Sequence, residues 1–342
     1  MIENTDFIFN PFTSMKFTYE ECFLCGVKLT LENETEEHIF PKWLQHRFNL
    51  WNQTVSLLNG TRIPYRMLKI PCCSICNGIH LSNLENIIRN GVESGFDEFI
   101  KIDKLFIFQW IVKIFYGLLF KELSLNIDRG DSSKGTITTP ELLDSYSMTH
   151  TFLQSVRTPV EFYDFVPWSI FILKGQIYND NRDFHYIDGL KTLTFSIKLG
   201  EIIIIANLQD NGIHQEQVDD YFKRLDNKSL HNIQFIELAA KNVYSSHLLN
   251  FRPFYMLTKS FEDQTLKVFS LKHSYSWDDW NNYHYANVLY HYLVHTYDYF
   301  KFDDLYAVDD NLGDAVATTL FNEKGDFEVL PPDVKVVFKK IK

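Results

Sequence analysis

Four cysteines near the start of the chain have the spacing of a metal site. They form two Cys-x-x-Cys pairs, Cys22 with Cys25 and Cys73 with Cys76, and Cys72 is left over. Two such pairs separated by a long loop are typical of a closed, tetrahedral Zn²⁺ site with four thiolate ligands. Five cysteines in 342 residues are too few for a disulfide-built secreted protein. We therefore expect a structural zinc ion, worth on the order of 10 kcal/mol of folding free energy.

Glu37, His38 and Asn77 could supply the chemistry that a closed zinc site cannot. A histidine is mostly neutral near pH 7 and can accept a proton. Carboxylate and amide oxygens are suitable ligands for Mg²⁺ or Mn²⁺. Hydrolysis of a phosphodiester uses both, because water needs a base and the scissile phosphate needs a cation. Glu37 and His38 are neighbours on a predicted strand, so their side chains are expected to point to opposite sides.

The motifs Cys-x-x-Cys, Glu-His-Ile-Phe-Pro and Cys-x-x-Cys-Asn, in this order, resemble the HNH endonucleases of the ββα-metal type with a four-cysteine zinc site. The resemblance covers about residues 20–95, roughly a quarter of the chain. It implies a metal-dependent DNA endonuclease with His38 as general base and with Glu37 and Asn77 as ligands of a catalytic Mg²⁺ or Mn²⁺. Glu85 matches the later helical glutamate of the similar branch and is expected to support the site.

The chain departs from the family pattern where an asparagine normally orients the catalytic histidine. Residues 66–70, just before the second cysteine pair, contain no asparagine. Asn59 or a backbone carbonyl is an alternative partner for His38, and His80 is an alternative to Asn77 as metal ligand. The departure also keeps open a second interpretation, a catalytically inactive zinc-dependent module that binds nucleic acid or protein.

The charge distribution indicates where a polyanion could bind. The net charge is −11, which disfavours non-specific nucleic-acid binding over the whole surface. Residues 38–84 nevertheless contain no Asp or Glu. The basic residues predicted to contact nucleic acid in this stretch are Lys42, Arg62, Arg66 and Lys69. We expect DNA as the partner, with RNA as an alternative substrate.

The helices and strands predicted around these residues indicate an α+β protein. We predict an HNH nuclease domain over residues 1–95 and a larger α+β domain over 96–342 that recognises substrate or a partner, or gates the nuclease. Within the first domain the patterns predict a strand at 38–40, a helix at 42–48, a hairpin around Asn59-Gly60 and a helix at 80–90. Such architectures suggest a host-defence role, with a homo-oligomer or a regulatory partner bound through the second domain.

Beyond residue 95 the predictions are coarser. Helices are expected at 96–126, 139–156, 215–225 and 277–300, and strands at 160–174, 193–199, 201–208, 233–238 and 266–271. Residues 105–120 are very apolar but too short to span a bilayer, which needs about 20 residues, and Gln109 and Lys113 interrupt them. No signal-peptide pattern is present, so we expect a cytoplasmic protein without membrane association.

Overall fold

The computed structural model describes residues 8–15, 17–250, 252–259, 265–271, 274–296, 318–322 and 324–332. Its helices are α1 (Pro11–Ser14), α2 (Lys42–Arg47), α3 (Ser82–Ser94), α4 (Phe96–Phe99), α5 (Lys104–Glu122), α6 (Pro140–Asp144), α7 (Ser147–Leu153), α8 (Ile213–Lys223), α9 (Asn232–Leu248) and α10 (Asn282–Thr296). Its strands are β1 (Glu34–His38), β2 (Thr54–Ser56), β3 (Arg62–Pro64), β4 (Lys69–Cys73), β5 (Val160–Tyr163), β6 (Ser169–Gly175), β7 (Phe184–Gly189), β8 (Thr194–Leu199), β9 (Ile202–Asn207), β10 (Ser229–Leu230), β11 (Phe254–Lys259) and β12 (Leu266–Leu271). The fold therefore mixes α and β elements, as the sequence predicts.

The chain divides into two compact units. The first comprises residues 1–165 and 254–271, and the second comprises 166–253 and 272–342. The boundary that the sequence suggests at residue 95 lies inside the first unit. An independently folding domain over residues 1–95 stays a prediction.

Glu37, His38 and Cys73 lie on an antiparallel ribbon formed by β1 and β4. Its register pairs Glu34 with Cys73 and His38 with Lys69. The strand predicted at 38–40 therefore begins earlier and ends at His38, because β4 supplies backbone partners from Glu34 onward. The hairpin predicted around Asn59-Gly60 is confirmed as β2 and β3, and Gly60 adopts the positive φ of 76° that its turn requires.

Two long helices of the first unit follow the ribbon. A π-helical turn, Cys76–Leu81, runs directly into α3. The single helix predicted at 96–126 is split into α4 and α5, because the Asp103 side chain caps α5 by accepting a hydrogen bond from the Leu105 N–H. α5 is buried along most of its length. In the described part of the chain, no helix combines the length and apolar character needed to cross a membrane.

The single strand predicted at 160–174 is wrong. β5 pairs in parallel with β12 in the first unit, whereas β6 pairs antiparallel with β9 in the second. Between them Asp164 has a φ of 58°, which breaks the extended conformation. The strand predicted at 266–271 is confirmed as β12.

The second unit contains a five-stranded sheet in the order β10-β6-β9-β8-β7. The strands predicted at 193–199 and 201–208 are confirmed as the antiparallel pair β8 and β9. The strand predicted at 233–238 is wrong, because these residues open α9, where Gln234 and His231 form a capping box. The predicted helix at 215–225 is confirmed as α8. The helix predicted at 277–300 is observed as α10, and residues 297–300 lie outside the described residues.

Candidate functional site

The four paired cysteines come together as a metal site. The thiol sulfurs of Cys22, Cys25, Cys73 and Cys76 all lie within 4.8 Å of one another, and Cys25 Sγ is 3.7 Å from Cys73 Sγ. Zinc–sulfur bonds of about 2.3 Å in a tetrahedron place neighbouring sulfurs about 3.8 Å apart. The donor set and its spacing therefore fit a structural Zn²⁺, as predicted from the sequence.

Two tight turns aim the thiols at one point. In the first turn Gly26 N–H donates to the Cys22 carbonyl at 2.8 Å, and Gly26 has a φ of +69°. In the second turn Cys76 N–H points at Cys73 Sγ at 3.4 Å. A Cβ at Gly26 would lie 2.0 Å from the Phe9 ring, so this position requires glycine both for its φ and for its space.

Helix α7 fixes the backbone between the first two cysteines. His150 Nε2 lies 2.9 Å from the Phe23 carbonyl, and Gln154 Nε2 donates to the Leu24 carbonyl at 2.7 Å. Burial lowers the pKa of His150 to about 4, so its ring is neutral and Nε2–H is the donor. The turn between Cys22 and Cys25 is thus held by residues more than 100 positions away. The sequence motifs did not indicate this contact.

His38 lies at the end of β1 with only 9% of its surface exposed. Among the described residues its Nε2 has no hydrogen-bond partner. Burial lowers the pKa of His38 to about 4, and the positive charges of Lys42 and Lys69 add to this shift. The ring is therefore a neutral imidazole, the form in which a histidine can accept a proton.

Glu37 faces the opposite side of β1 and forms an ion pair with Lys113 of α5. Lys113 is fully buried, and its Nζ also donates to Glu85 Oε1 at 2.9 Å and to the carbonyls of His38 and Ile39 at 2.6 and 3.1 Å. This buried group of Glu37, Lys113 and Glu85 is called the lysine cluster below.

The lysine cluster joins one ammonium to two carboxylates. Burial raises the pKa of Glu37, the Lys113 ammonium opposes this shift, and the neighbouring Glu85 carboxylate adds to it. Burial disfavours the charge of Lys113, but the two carboxylates outweigh it and raise the pKa of Lys113. The ammonium therefore stays charged. The sequence signal for this residue was a lone lysine in the apolar helix, and we did not predict its place beside Glu37 and Glu85.

Asn77 joins the π-helical turn to β1. Its Nδ2 donates to Thr35 Oγ1 at 3.0 Å and to the Glu36 carbonyl at 3.2 Å. His80 lies half-buried in the same turn, and burial lowers its pKa. The turn therefore sits directly beside the strand that carries His38.

Asn59 does not orient His38. Its Oδ1 accepts from Thr61 N–H at 3.0 Å within the β2–β3 turn, and its Nδ2 donates to the Ile127 carbonyl at 3.0 Å, which joins that turn to the segment after α5. The backbone of His38 pairs with Lys69 of β4, and its carbonyl accepts from Lys113 Nζ at 2.6 Å.

The four basic residues predicted to contact nucleic acid lie on β3, β4, α2 and the turn after β3. Lys42 and Arg62 are exposed. Lys69 forms an ion pair with Glu36 at 2.8 Å. Arg66 donates to the Trp51 carbonyl at 3.2 Å and to Asn52 Oδ1 at 2.5 Å, which holds the loop before β2.

Two of the predicted ligands of a catalytic divalent ion have protein partners in this structure. Glu37 is paired with Lys113, and the Asn77 amide donates to β1. Within the described ranges, no second group of three or more His, Cys, Asp or Glu side chains is close enough to hold a metal ion. A catalytic Mg²⁺ or Mn²⁺ bound by Glu37, Asn77 or His80 stays a prediction.

No family model, curated protein or solved structure matches this chain. The resemblance to HNH endonucleases therefore rests on the motifs between Cys22 and Asn77 and on their chemistry.

Proposed function

We propose that the first unit hydrolyses phosphodiester bonds of DNA, with His38 as the general base. The observation that carries this proposal is the buried, neutral imidazole of His38, whose Nε2 has no partner within the described part of the chain. A buried polar atom is normally hydrogen-bonded, so an unpaired ring nitrogen is a candidate for contact with a reactant.

In this proposal Nε2 accepts the proton of a water molecule as its oxygen attacks phosphorus. His38 lies at one end of the β1–β4 ribbon, and the four-cysteine group holds the other end. Cys73 ends β4 there, and the Phe23 N–H of the first cysteine turn donates to the Pro71 carbonyl at 3.0 Å. Lys42 and Lys69 place positive charge close enough to His38 to lower its pKa, and the same charge would attract a phosphate.

A dependence on Mg²⁺ or Mn²⁺ stays a prediction. Glu37 is paired with Lys113 in this structure, so its role as a ligand of that ion is also a prediction. The roles of Asn77 and His80 as ligands are predictions too, as are the regulatory role of residues 96–342 and the role in host defence.

A second candidate function is a zinc-dependent module that binds nucleic acid or protein without cutting it. The pairing of Glu37 with Lys113 favours this alternative, since it engages the carboxylate that the resemblance assigns to the metal. The two proposals differ in one respect. Binding by an inactive module needs neither the His38 imidazole nor a divalent ion.

The test is incubation of the full-length protein with plasmid, linear duplex, single-stranded DNA and RNA, with Mg²⁺, with Mn²⁺ and with EDTA. His38→Ala should abolish cutting. His46→Ala is the matched control and should cut as the parent does, since the His46 ring stacks on Trp51 and has no role in the proposed reaction. Zinc content and circular dichroism show whether each variant is folded. Cutting by folded His38→Ala at the parent rate would overturn the assignment of the base. Binding without cutting by the parent would favour the inactive module.

A further inference from the structure

A second group of polar residues lies in the second unit, between the end of β9 and the end of α9. Asp210 Oδ2 is 2.9 Å from His214 Nδ1, and His214 Nε2 is 3.2 Å from Ser246 Oγ. Asp210 and His214 are 3% and 2% exposed, and Ser246 is half-buried. A carboxylate, an imidazole and a hydroxyl in this order are the arrangement that activates a serine as a nucleophile.

The turn before α8 holds the carboxylate in place. Asn211 and Gly212 both have positive φ, 56° and 77°, which folds the chain back so that Asp210 caps the helix. Asp210 accepts from Gly212 N–H at 3.2 Å and from His214 N–H at 3.0 Å. Ser169 Oγ donates to the same carboxylate at 2.6 Å. Asp210 is thus an acceptor fixed by several donors, which orients His214 as well.

The bond to Asp210 determines the tautomer of His214. The Asp210 carboxylate accepts the hydrogen bond, so Nδ1 carries the proton. The unprotonated Nε2 then faces Ser246. The ring is also held edge to face against Trp277, with centroids 4.8 Å apart. The imidazole therefore has one orientation, with its second nitrogen at the serine hydroxyl.

In this structure the Ser246 hydroxyl is hydrogen-bonded to Asn207. Ser246 Oγ donates to Asn207 Oδ1 at 2.5 Å, while Asn207 Nδ2 donates to Asn242 Oδ1 at 2.8 Å. Asn242 Nδ2 in turn donates to the Ala206 carbonyl at 3.2 Å, which fixes the direction of both amides. Rotation of the Ser246 O–H bond from Asn207 Oδ1 to His214 Nε2 points the hydroxyl proton at the nitrogen that would accept it.

The serine opens into a pocket of about 120 Å³ with cationic residues on its wall. Ser246, His214 and Asp210 line it together with Lys191, His247 and Arg252. A cavity of about 150 Å³ holds a benzene molecule, so this pocket takes a group of about six non-hydrogen atoms. Lys191 and Arg252 favour a substrate with an anionic group, and their charge can stabilise an oxyanion.

We propose that Ser246, His214 and Asp210 form a second catalytic site, a serine hydrolase site for esters with a small acyl group and an anionic substituent. Ser246 is the nucleophile, His214 the base and Asp210 the residue that positions His214. This activity is independent of the proposed nuclease and uses none of its residues.

The reaction has two balanced steps. Ser246 Oγ forms a bond to the acyl carbon while its proton moves to His214 Nε2, and the ester C–O bond breaks as the leaving alcohol takes that proton. Water then attacks the acyl-serine, gives a proton to Nε2, and the bond to Oγ breaks as Ser246 regains its proton. The products are one alcohol and one carboxylic acid, and no oxidant or reductant is needed.

The test uses a fluorophosphonate probe on the folded full-length protein, followed by peptide mapping by mass spectrometry. The probe should modify Ser246, and labelling at this position should disappear in urea-unfolded protein. Ser245→Ala, the neighbouring serine on α9, should be labelled like the parent, and Ser246→Ala should not be. His214→Gln should slow labelling by about 100-fold.

Absence of Ser246 labelling in the folded parent would overturn the proposal, and this result does not depend on any variant being stable. Equal labelling of folded and unfolded parent would also overturn it, as would an unchanged rate in a His214→Gln variant with parental circular dichroism. A burst of p-nitrophenol from p-nitrophenyl acetate, equal to the amount of protein and blocked by the probe, would confirm acylation of the same residue, and continued release after the burst would confirm turnover.

Discussion

Lys113, in the middle of α5, forms an ion pair with Glu37 on β1, and neither side chain is more than 5% exposed. The pair connects the most apolar helix of the first unit to the strand that carries the proposed base. Lys113 also donates to the His38 carbonyl at 2.6 Å, so it fixes the backbone at the site as well as the neighbouring carboxylate.

Replacing Lys113 should strongly destabilise the first unit. Lys113→Met leaves Glu37 buried without a cation, and breaking a buried ion pair in this way costs about 3–5 kcal/mol. Urea unfolding followed by circular dichroism measures the loss. Lys101→Met is the matched control, because Lys101 pairs with Glu98 at the surface and its removal should cost less than about 1 kcal/mol.

A second variant separates the missing charge from the missing volume. Lys113→Met combined with Glu37→Gln removes both charges and should recover part of the lost stability. If Lys113→Met is as stable as the parent, the ion pair does not hold the unit together.

The cysteine site should bind one zinc ion per chain, measured by plasma mass spectrometry on protein purified without added metal. Cys76→Ser should lose the zinc and expose the unit to proteolysis, because the metal is worth on the order of 10 kcal/mol to such a module. Cys72→Ala is the control. Cys72 Sγ is 3.8 Å from Cys22 Sγ but is not part of the four-cysteine group, so this variant should keep its zinc. Zinc loss in Cys72→Ala would mean that the ligand set is different.

Gly26 should tolerate no side chain. Gly26→Ala requires both a positive φ and displacement of the Phe9 ring, so we expect a loss of about 1–3 kcal/mol in the free energy of unfolding. Gly60→Ala has a similar φ of +76° but meets no atom within 4 Å. The difference between the two variants in urea unfolding therefore isolates the packing against Phe9. Equal losses would show that only the backbone conformation matters.

Acid should weaken the second unit through His231, the N-cap residue of α9. Its Nδ1 accepts from Ile233 N–H at 3.2 Å, and burial lowers the pKa of His231 to about 4, below its ordinary value of 6.5. A lowered pKa means that the neutral ring stabilises the fold above pH 6.5, and that this contribution is lost as the pH falls from 6.5 towards 4.

Between neutral pH and about pH 5 the loss from His231 should be about 1–2 kcal/mol. His231→Asn keeps a capping side chain without a titrating ring, so its urea unfolding should depend less on pH by that amount. His247→Asn, at an exposed position of the same helix, is the control and should follow the parent. A parental pH dependence in His231→Asn would show that this ring does not titrate on unfolding.

The local features of the fold could be predicted from the sequence. The cysteine spacing identified the metal group, Asn59-Gly60 identified the β2–β3 hairpin, and the strands at 193–199 and 201–208 were predicted as well, since each depends on a few adjacent residues. The strand predicted at 233–238 was wrong because the run of Ile, Phe and Leu in this segment fits a buried strand as well as a buried helix. The cap at His231 is the signal that distinguishes the two.

The non-local features could not be predicted. The partner of Glu37 is 76 positions along the chain, on a helix whose other residues are apolar. His214 and Ser246 lie on different helices, and their contact depends on how α8 packs on β6 and α9 packs on the neighbouring strand β9. Such contacts follow from tertiary packing, for which a single sequence carries no periodic signal. Whether Glu37, Asn77 and His80 bind a catalytic ion stays a prediction.

The pairing of β5 with β12 has a consequence for synthesis on the ribosome. Val160 finds its partner Leu266 about 100 residues later, after the whole segment 166–253 has been translated. At about 5–20 residues per second, the nascent first unit waits roughly 5–20 s with the edge of β5 uncovered. During this interval an unpaired strand edge is open to chaperones and to other nascent chains. Ribosomes that translate this message in close succession therefore carry incomplete copies of the same edge side by side.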